Sequence, residues 1–416
     1  MNDRRKVVVV GSGVAGLTAA YLLQRRYDVT LLEADDRFGG HAHTHEIAAT
    51  NVDSGFIVHN QRTYPNLLRL FGELDVPTQD AEMSMSVRCE GCGLEYAGAR
   101  GLSGLFARPR SLANGRYLRM LAEVRRFHRH AQRVLDDPDA SEVTLGGFCA
   151  VGGYSPYFIE HFILPVVSAV WSTGGTLSKR YPARYLFAFL QHHGALSVTG
   201  SPRWRTVVGG SRTYVQRATK GLTAALVSTP VRSVARTAAG VEVRDDADTV
   251  YRADHAVIAT HPDQALAILA EPTTAEASIL GAIPYSRNET LLHTDPTLLP
   301  TAPAARASWN YLKPACASAT SPVVVSYDLT RLMRLPGPTR YVVTLNAAER
   351  VDPGAVLARM VYEHPAYTPE SLAAQRRLPE LATGPIRYAG AYHGWGFHED
   401  GCAAGVAAAA SLGVDW

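Results

Sequence analysis

The sequence predicts an α/β fold: a mostly parallel sheet with helices on its faces, joined to a second, mixed α+β domain. Three observations carry that prediction. The apolar run Lys6–Val10 is followed at once by the glycine cluster Gly11-Ser12-Gly13-Val14-Ala15-Gly16. Residues 17–26 then place Leu17, Ala20 and Tyr21 at helical spacing, and residues 28–33 (DVTLLE) return to a short buried-strand pattern. Glu33 closes that second strand. Strand, glycine turn, helix, strand and acid in this order make a Rossmann-like dinucleotide-binding unit.

Each residue of the cluster has a task. Gly11 permits the tight turn. Gly13 lets backbone amides approach a pyrophosphate, and Gly16 lets the helix pack close to the sheet. Val14 and Ala15 open the helix, whose unpaired N–H groups face the anion. Glu33 stands where a carboxylate accepts hydrogen bonds from a ribose diol.

The residues after Glu33 decide which dinucleotide is bound. They are Ala34, two aspartates, Arg37, Phe38, Gly39 and Gly40. This E-x3-R-x-G-G run resembles the extended fingerprint of FAD enzymes of the amine-oxidase and phytoene-desaturase superfamily. Arg37 can pair with the pyrophosphate, and Gly39 and Gly40 let the chain pass along an extended cofactor. Where many relatives place an arginine after the glycine pair, this chain has His41.

Further segments extend the resemblance. Residues 51–60 (NVDSGFIVHN) resemble the stretch that runs under the flavin ring, with Gly55, Phe56 and Ile57 nearest. The C-terminal run RYAGAYHGWGFHEDGCAAGVAAAA resembles the crossing in which a strand ends at Ala389-Gly390 and the chain passes the flavin near Phe397. A helix then begins through Asp400-Gly401. The resemblance implies that Asp400 binds the ribityl chain and that Val231 meets the adenine. The alanine-rich stretch 401–412 would point its N-terminus at the flavin and favour the reduced, negatively charged state. The phrase G-W-G-F-H-E-D-G is similar to one bacterial subgroup associated with cyclopropane-fatty-acid-synthase-type methyltransferases. The stretches around Trp204–Tyr214, Leu292–Asp295 and Ser308–Tyr311 match it too, so the resemblance covers essentially the whole chain.

The resemblance implies a glutathione-reductase-2/amine-oxidase type FAD domain assembled from residues 1–85, 206–274 and 380–416. A discontinuous substrate domain would come from 86–205 and 275–379. FAD is expected to be held non-covalently, since no Cys or His has a context specific for covalent linkage. The expected activity is dehydrogenation or desaturation of an apolar lipid or unsaturated acyl substrate, with a hydride passed to flavin N5. His293, His398 and Tyr311 are the active-site candidates, because they lie in the subgroup-like phrases. One alternative is a small-molecule amine oxidase that releases hydrogen peroxide, with Lys313 near N5 and Trp395 and Phe397 as its aromatic cage. Phe397 lacks the hydroxyl such a cage often carries, which suits an apolar substrate better. The other alternative is a non-catalytic FAD-binding redox sensor.

Composition narrows the remaining classes. Hydrophobic residues make up 46% of the 416-residue chain and charged residues 19%, so it can bury a core. Net charge is +3, which excludes a generally polybasic nucleic-acid binder; no nucleic-acid partner is expected. No apolar run approaches the ~18 residues of a membrane span. The expected compartment is the cytoplasm. Between Arg100 and Arg133, nine arginines and two histidines face one acid, Glu123. The first reading of the helix at 116–133 is a solvated face packed on the substrate domain. The second is a basic face docked on anionic lipid headgroups. The apolar stretches 161–171 and 181–190 read as core, with a tunnel wall as a second role for some of their residues.

Five cysteines do not make a disulfide framework. Cys89 and Cys92 form a C-x-x-C without a second pair, and read first as incidental thiols in a hairpin turn, with a metal or redox site as the alternative. His41, His43 and His45 share one face of an extended strand. The resemblance assigns His41 to the cofactor, so no metal site is expected.

Overall fold

The computed structural model describes residues 4–137, 142–196, 200–317 and 323–416. Lys6–Val10 is the central strand of a five-stranded sheet. The order across the sheet is Ala224–Leu226, Asp28–Leu32, Lys6–Val10, His255–Ile258 and Ile386–Tyr388, all parallel. A parallel sheet is covered on both faces, which is why its strands read as unbroken apolar runs. Val7 to Val10 are all buried.

The first helix, Val14–Leu23, begins three residues before the apolar repeat and is buried along almost its whole length. Its lack of a polar face explains why periodicity marks it only in part. The last helix, His398–Ser411, packs directly on it. Glycines make that approach possible. A Cβ at Gly405 would stand 2.4 Å from the Ala15 carbonyl oxygen, and one at Gly401 would stand 2.7 Å from Val14 Cγ1. Within the turn, a Cβ at Gly16 would stand 1.9 Å from the Gly11 carbonyl oxygen.

Val231–Thr237, Gly240–Asp245 and Val250–Ala253 form a three-stranded antiparallel sheet whose alternating valines face inward. A seven-stranded mixed sheet draws its strands from distant parts of the chain. Its order is Val356–Pro365, Tyr285–His293, Val342–Leu345, Val324–Asp328, Trp309–Lys313, Met85–Cys89 and Glu95–Ala97. The last two form the hairpin expected around the C-x-x-C. Helices Gly115–Asp136, Leu164–Trp171 and Ala183–His192 share an aromatic core centred on Phe127, whose ring lies 5.4 Å from that of Phe187 and 5.7 Å from that of Phe158.

The basic helix Gly115–Asp136 is capped by Asn114, whose Oδ1 accepts from Tyr117 N at 3.2 Å. It turns Tyr117, Met120, Phe127 and Ala131 into the core and leaves Arg116, Arg119, Arg125, Arg129 and Arg133 exposed. Within it, Glu123 is buried and accepts from Ser155 N at 3.1 Å. No helix among the described residues is long and apolar enough to cross a membrane.

The contact between first and last helix gives a direct test. Gly405→Leu should cost about 1–3 kcal/mol through overpacking against Ala15 and Thr18. A thermal melt checks this; a variant as stable as the parent would show that the two helices do not meet as closely as described.

Candidate cofactor and active site

A cavity of about 1640 Å3 runs from the glycine turn to the aromatic core around Phe127. Its two ends differ in chemistry. The first end is built from the glycine turn, the Glu33–Arg37 segment, Gly40, His41 and Val231. Nothing lies within 4 Å of where a Cβ of Gly13 would project, so the backbone there borders open space. Gly11, Gly39 and Gly40 have φ values of +94°, +116° and +55°, a region that disfavours any other residue. The Glu33 carboxylate accepts from Ser12 N at 2.8 Å and from the Ser12 hydroxyl, and its other oxygen accepts from Asp35 N at 3.0 Å.

The polar groups of this end fit a dinucleotide. Arg37 Nη1 and His41 Nε2 are buried without a hydrogen-bond partner, and both residues line the cavity. A buried guanidinium nitrogen left unpaired is costly unless an anion completes it. Beside it stand the free N–H groups of the first helix, which favour the same charge.

The middle of the cavity is bordered by Gly55, Phe56, Ile57, Gly390, Phe397 and His398. A Cβ at Gly55 would stand 2.1 Å from the His41 carbonyl oxygen, so this segment lies against the glycine-pair turn. The His398 ring stacks on Phe56 at 3.8 Å with an interplanar angle of 7°, and its Nε2 hydrogen-bonds Tyr214 Oη at 2.8 Å. Burial pushes His398 down to about 3, so it is a neutral ring at pH 7.

The far end is apolar. Phe397 stacks on Phe189 at 4.9 Å, and Phe189 lies 4.6 Å from Trp171. Leu105, Phe106, Leu121, Phe162, Val166 and Val170 continue the wall. His193 closes it beside Trp204, with ring centroids 6.3 Å apart. His193 Nδ1 donates to the Phe189 carbonyl at 3.0 Å, which leaves Nε2 with a lone pair. Burial pushes His193 down to about 4.

Most residues expected at the cofactor border this cavity: Gly11, Gly13, Val14, Ala15, Glu33, Ala34, Arg37, Gly40, His41, Gly55, Phe56, Ile57, Val231, Gly390 and Phe397. Gly16, Gly39 and Gly401 do not. They supply clearance for backbone packing instead, as the Gly16 and Gly401 distances show. A Cβ at Gly39 would likewise stand 2.5 Å from the Ala42 carbonyl oxygen. Asp400, expected at the ribityl chain, is not among the residues that line the cavity. Its Oδ2 accepts from Phe397 N at 2.8 Å, tying the crossing segment to the start of the last helix.

Of the three catalytic candidates, only His398 reaches the cavity. His293 is fully buried in the seven-stranded sheet, with Nε2 bonded to Thr344 Oγ1 at 2.8 Å. Tyr311 packs between that sheet and the helices over it. Both are core residues. Lys313 is also withdrawn: it is buried and paired with Glu160 at 2.7 Å. Among the described residues, no lysine lines the cavity. Trp395 packs behind the wall, where its carbonyl accepts from Trp171 Nε1 at 2.9 Å. His43 and His45 are half-buried rather than exposed, with rings 4.0 Å apart.

Several lining residues carried no expectation. Tyr362 and His364 alternate along Val356–Pro365 and bring their rings to 5.0 and 5.4 Å from His41. Their period-two spacing is visible in the sequence, but the strand's partner lies far away along the chain. His193 and Trp204 meet only because a three-stranded sheet places Trp204–Val207 between His59–Asn60 and Thr78–Asp80.

Comparison with known proteins agrees with this arrangement. The family described as flavin containing amine oxidoreductase matches residues 14–291. A lysine-specific histone demethylase 1 homolog from Arabidopsis thaliana is 36% identical over 107 residues, which are 25% of this chain and 6% of that relative. Among solved structures, a cyclohexylamine oxidase from Brevibacterium oxydans is similar with a TM-score of 0.68 at 16% identity, covering 98% of each chain. A fatty acid isomerase from P. acnes is similar with a TM-score of 0.66 at 15% identity, covering 97% of this chain and 98% of that one.

The cofactor end and the buried histidines each give a test. Arg37→Ala should weaken FAD binding by about 10- to 100-fold, from ~1.5–3 kcal/mol for a charge-assisted hydrogen bond. Fluorescence titration of the apoprotein measures it; unchanged affinity would remove Arg37 from the cofactor. The second test concerns acid. His59 and His364, like His193, are pushed down to about 4 by burial. Such a group takes its proton more readily in the unfolded chain, so its contribution is intact above the ordinary value of 6.5 and is lost as pH falls toward the folded value. Asp53 and Asp400, raised to about 6 by burial, work in the opposite direction below that pH. The histidines outnumber them, so the thermal midpoint should fall between about pH 7 and about pH 5. A midpoint that rises over this range would contradict neutral burial of these rings.

Proposed function

The chain belongs to the flavin containing amine oxidoreductase family, and from that premise we propose that it is an FAD-dependent dehydrogenase acting on an apolar lipid or unsaturated acyl chain. The observation that carries this reading is the far end of the cavity, walled by leucine, valine, phenylalanine and tryptophan side chains without a lysine among the described residues. The fold alone does not choose, since the similar structures include an amine oxidase and a fatty acid isomerase. A flavin held only as a redox sensor has no need of the apolar chamber beyond the cofactor groove.

FAD supplies a hydride acceptor when bound. Arg37, Glu33 and the first helix's N–H groups would hold its pyrophosphate and ribose side. Phe397, Phe189 and Trp171 exclude water from the reacting carbon and align an acyl chain along the wall. Dehydrogenation also releases a proton. His193 lines the cavity and has its Nδ1 fixed by the Phe189 carbonyl, so its Nε2 is the group to accept it. His398, held by Phe56 and Tyr214, keeps the crossing segment in position.

Access completes the reading. Leu102 is 75% exposed and Leu118 41% exposed, yet both line the cavity, as does the exposed Arg125; they mark its mouth. Exposed Arg116, Arg119 and Arg129 lie on the same helix. An apolar rim set in positive charge suits an anionic lipid surface, which would deliver the substrate.

Mixing the holoprotein with unsaturated lipid extract without oxygen should bleach the oxidised flavin bands. Bleaching by amines and not by lipid would assign the amine-oxidase reading instead. His193→Asn should slow lipid-driven bleaching by about 100-fold or more while FAD content stays constant; unchanged bleaching would exclude His193 as the base. Sedimentation with anionic vesicles should be salt-sensitive and fall by about fivefold for each of Arg116→Ala and Arg125→Ala, at ~1 kcal/mol per basic residue. Equal sedimentation with neutral vesicles would overturn the docking surface.

A further inference from the structure

Outside this cavity, three cysteines and a histidine from three separate stretches of chain converge on one point. Cys89 and Cys92 come from the hairpin turn, His161 from the π-helical turn Ile159–Ile163, and Cys316 from the segment after strand Trp309–Lys313. Their sulfur and imidazole atoms all lie within 4.8 Å of one another. None of the four lines the large cavity. We infer that Cys89, Cys92, His161 and Cys316 form a Cys3His site for a tetrahedral zinc ion.

The spacing of the donors suits that ion. Cys89 Sγ and Cys316 Sγ are 3.8 Å apart, and Cys92 Sγ and His161 Nε2 are 3.6 Å apart. Zinc–sulfur and zinc–nitrogen bonds of ~2.3 and ~2.0 Å at tetrahedral angles give edges of about 3.8 and about 3.5 Å. Soft thiolates with one imidazole select zinc over magnesium or calcium.

The surroundings prepare the ligands. His161 Nδ1 donates to the Tyr157 carbonyl at 3.1 Å, which fixes the tautomer and leaves Nε2 bare toward the sulfurs. The Tyr157 ring stacks on His161 at 4.1 Å and holds its plane. In the hairpin, Cys89 N donates to the Leu94 carbonyl at 2.8 Å, and Gly93 adopts φ +67°. Gly91 lets the third stretch in: a Cβ there would stand 2.8 Å from Cys316 N and 3.2 Å from Cys316 Sγ. Cys89 and His161 are buried and Cys92 is exposed, so an ion can enter from solvent.

The metal would clip together three stretches that carry part of the substrate chamber. Val87 and Tyr96 of the hairpin, and Phe162 and Ile163 of the π-helical turn, line the cavity. Ion binding would therefore stabilise the fold and fix that wall.

The test uses the FAD-loaded protein purified without chelator from zinc-supplemented cells. Elemental analysis should give one zinc per chain. Cys92→Ser and His161→Asn should each lower zinc content at least tenfold while FAD content is retained. Cobalt exchanged into the native protein should show the charge-transfer and d–d bands of a tetrahedral thiolate site. Protein that folds and binds FAD yet takes up neither zinc nor cobalt would overturn the inference. So would a Cys89–Cys316 disulfide in peptide maps of the protein as isolated.

Discussion

The structure rests on the absence of side chains at a few positions. At Gly16 a Cβ would overlap the Gly11 carbonyl, and at Gly405 it would press into Ala15. These gaps let the first helix sit against both the central strand and the last helix. The N-terminus of the first helix therefore opens at the carboxyl end of the central strand, where its unpaired N–H groups face the cavity. The same contact positions the crossing segment, because the last helix begins at His398, one residue after Phe397. Cofactor groove and chamber wall are thus set by one helix pair.

From that pair outward, the cavity divides by chemistry. Its first end collects an unpaired guanidinium nitrogen, a carboxylate and free amides. Its far end collects aromatic rings and branched aliphatic chains. Burial keeps His398 neutral between the two, and His193 neutral where it closes the far end. The far end therefore offers a largely uncharged wall with Arg125 at its mouth, while Glu33 and Arg37 border the first end.

Local signals are legible in the sequence, and long-range ones are not. The glycine cluster and Glu33 fall within one continuous stretch, so their spacing marks the cofactor turn, and the family resemblance adds Arg37; Gly11, Gly13, Glu33 and Arg37 all border the cavity. Gly390 and Phe397 are placed there too, through a phrase-level resemblance. The resemblance implies a ribityl contact for Asp400; here its carboxylate accepts from the Phe397 amide three residues back, a capping contact at the start of the last helix. His293 and Tyr311 sit in conspicuous phrases, but those phrases are interior strands, and conspicuous strand residues are commonly core. His193, Trp204, Tyr362 and His364 depend on strand pairing across large separations, which no local pattern encodes. The C-x-x-C lacks a second pair nearby for the same reason: His161 and Cys316 join it only through the fold.

The most direct measurement is the visible spectrum of the purified protein, before and after a saturated long-chain fatty acid that cannot react. One oxidised FAD per chain is predicted, together with a perturbed flavin spectrum once the acyl chain fills the apolar end beside it. A protein that binds no FAD even on reconstitution, or a flavin spectrum indifferent to every acyl ligand while small polar amines perturb it, would contradict the account.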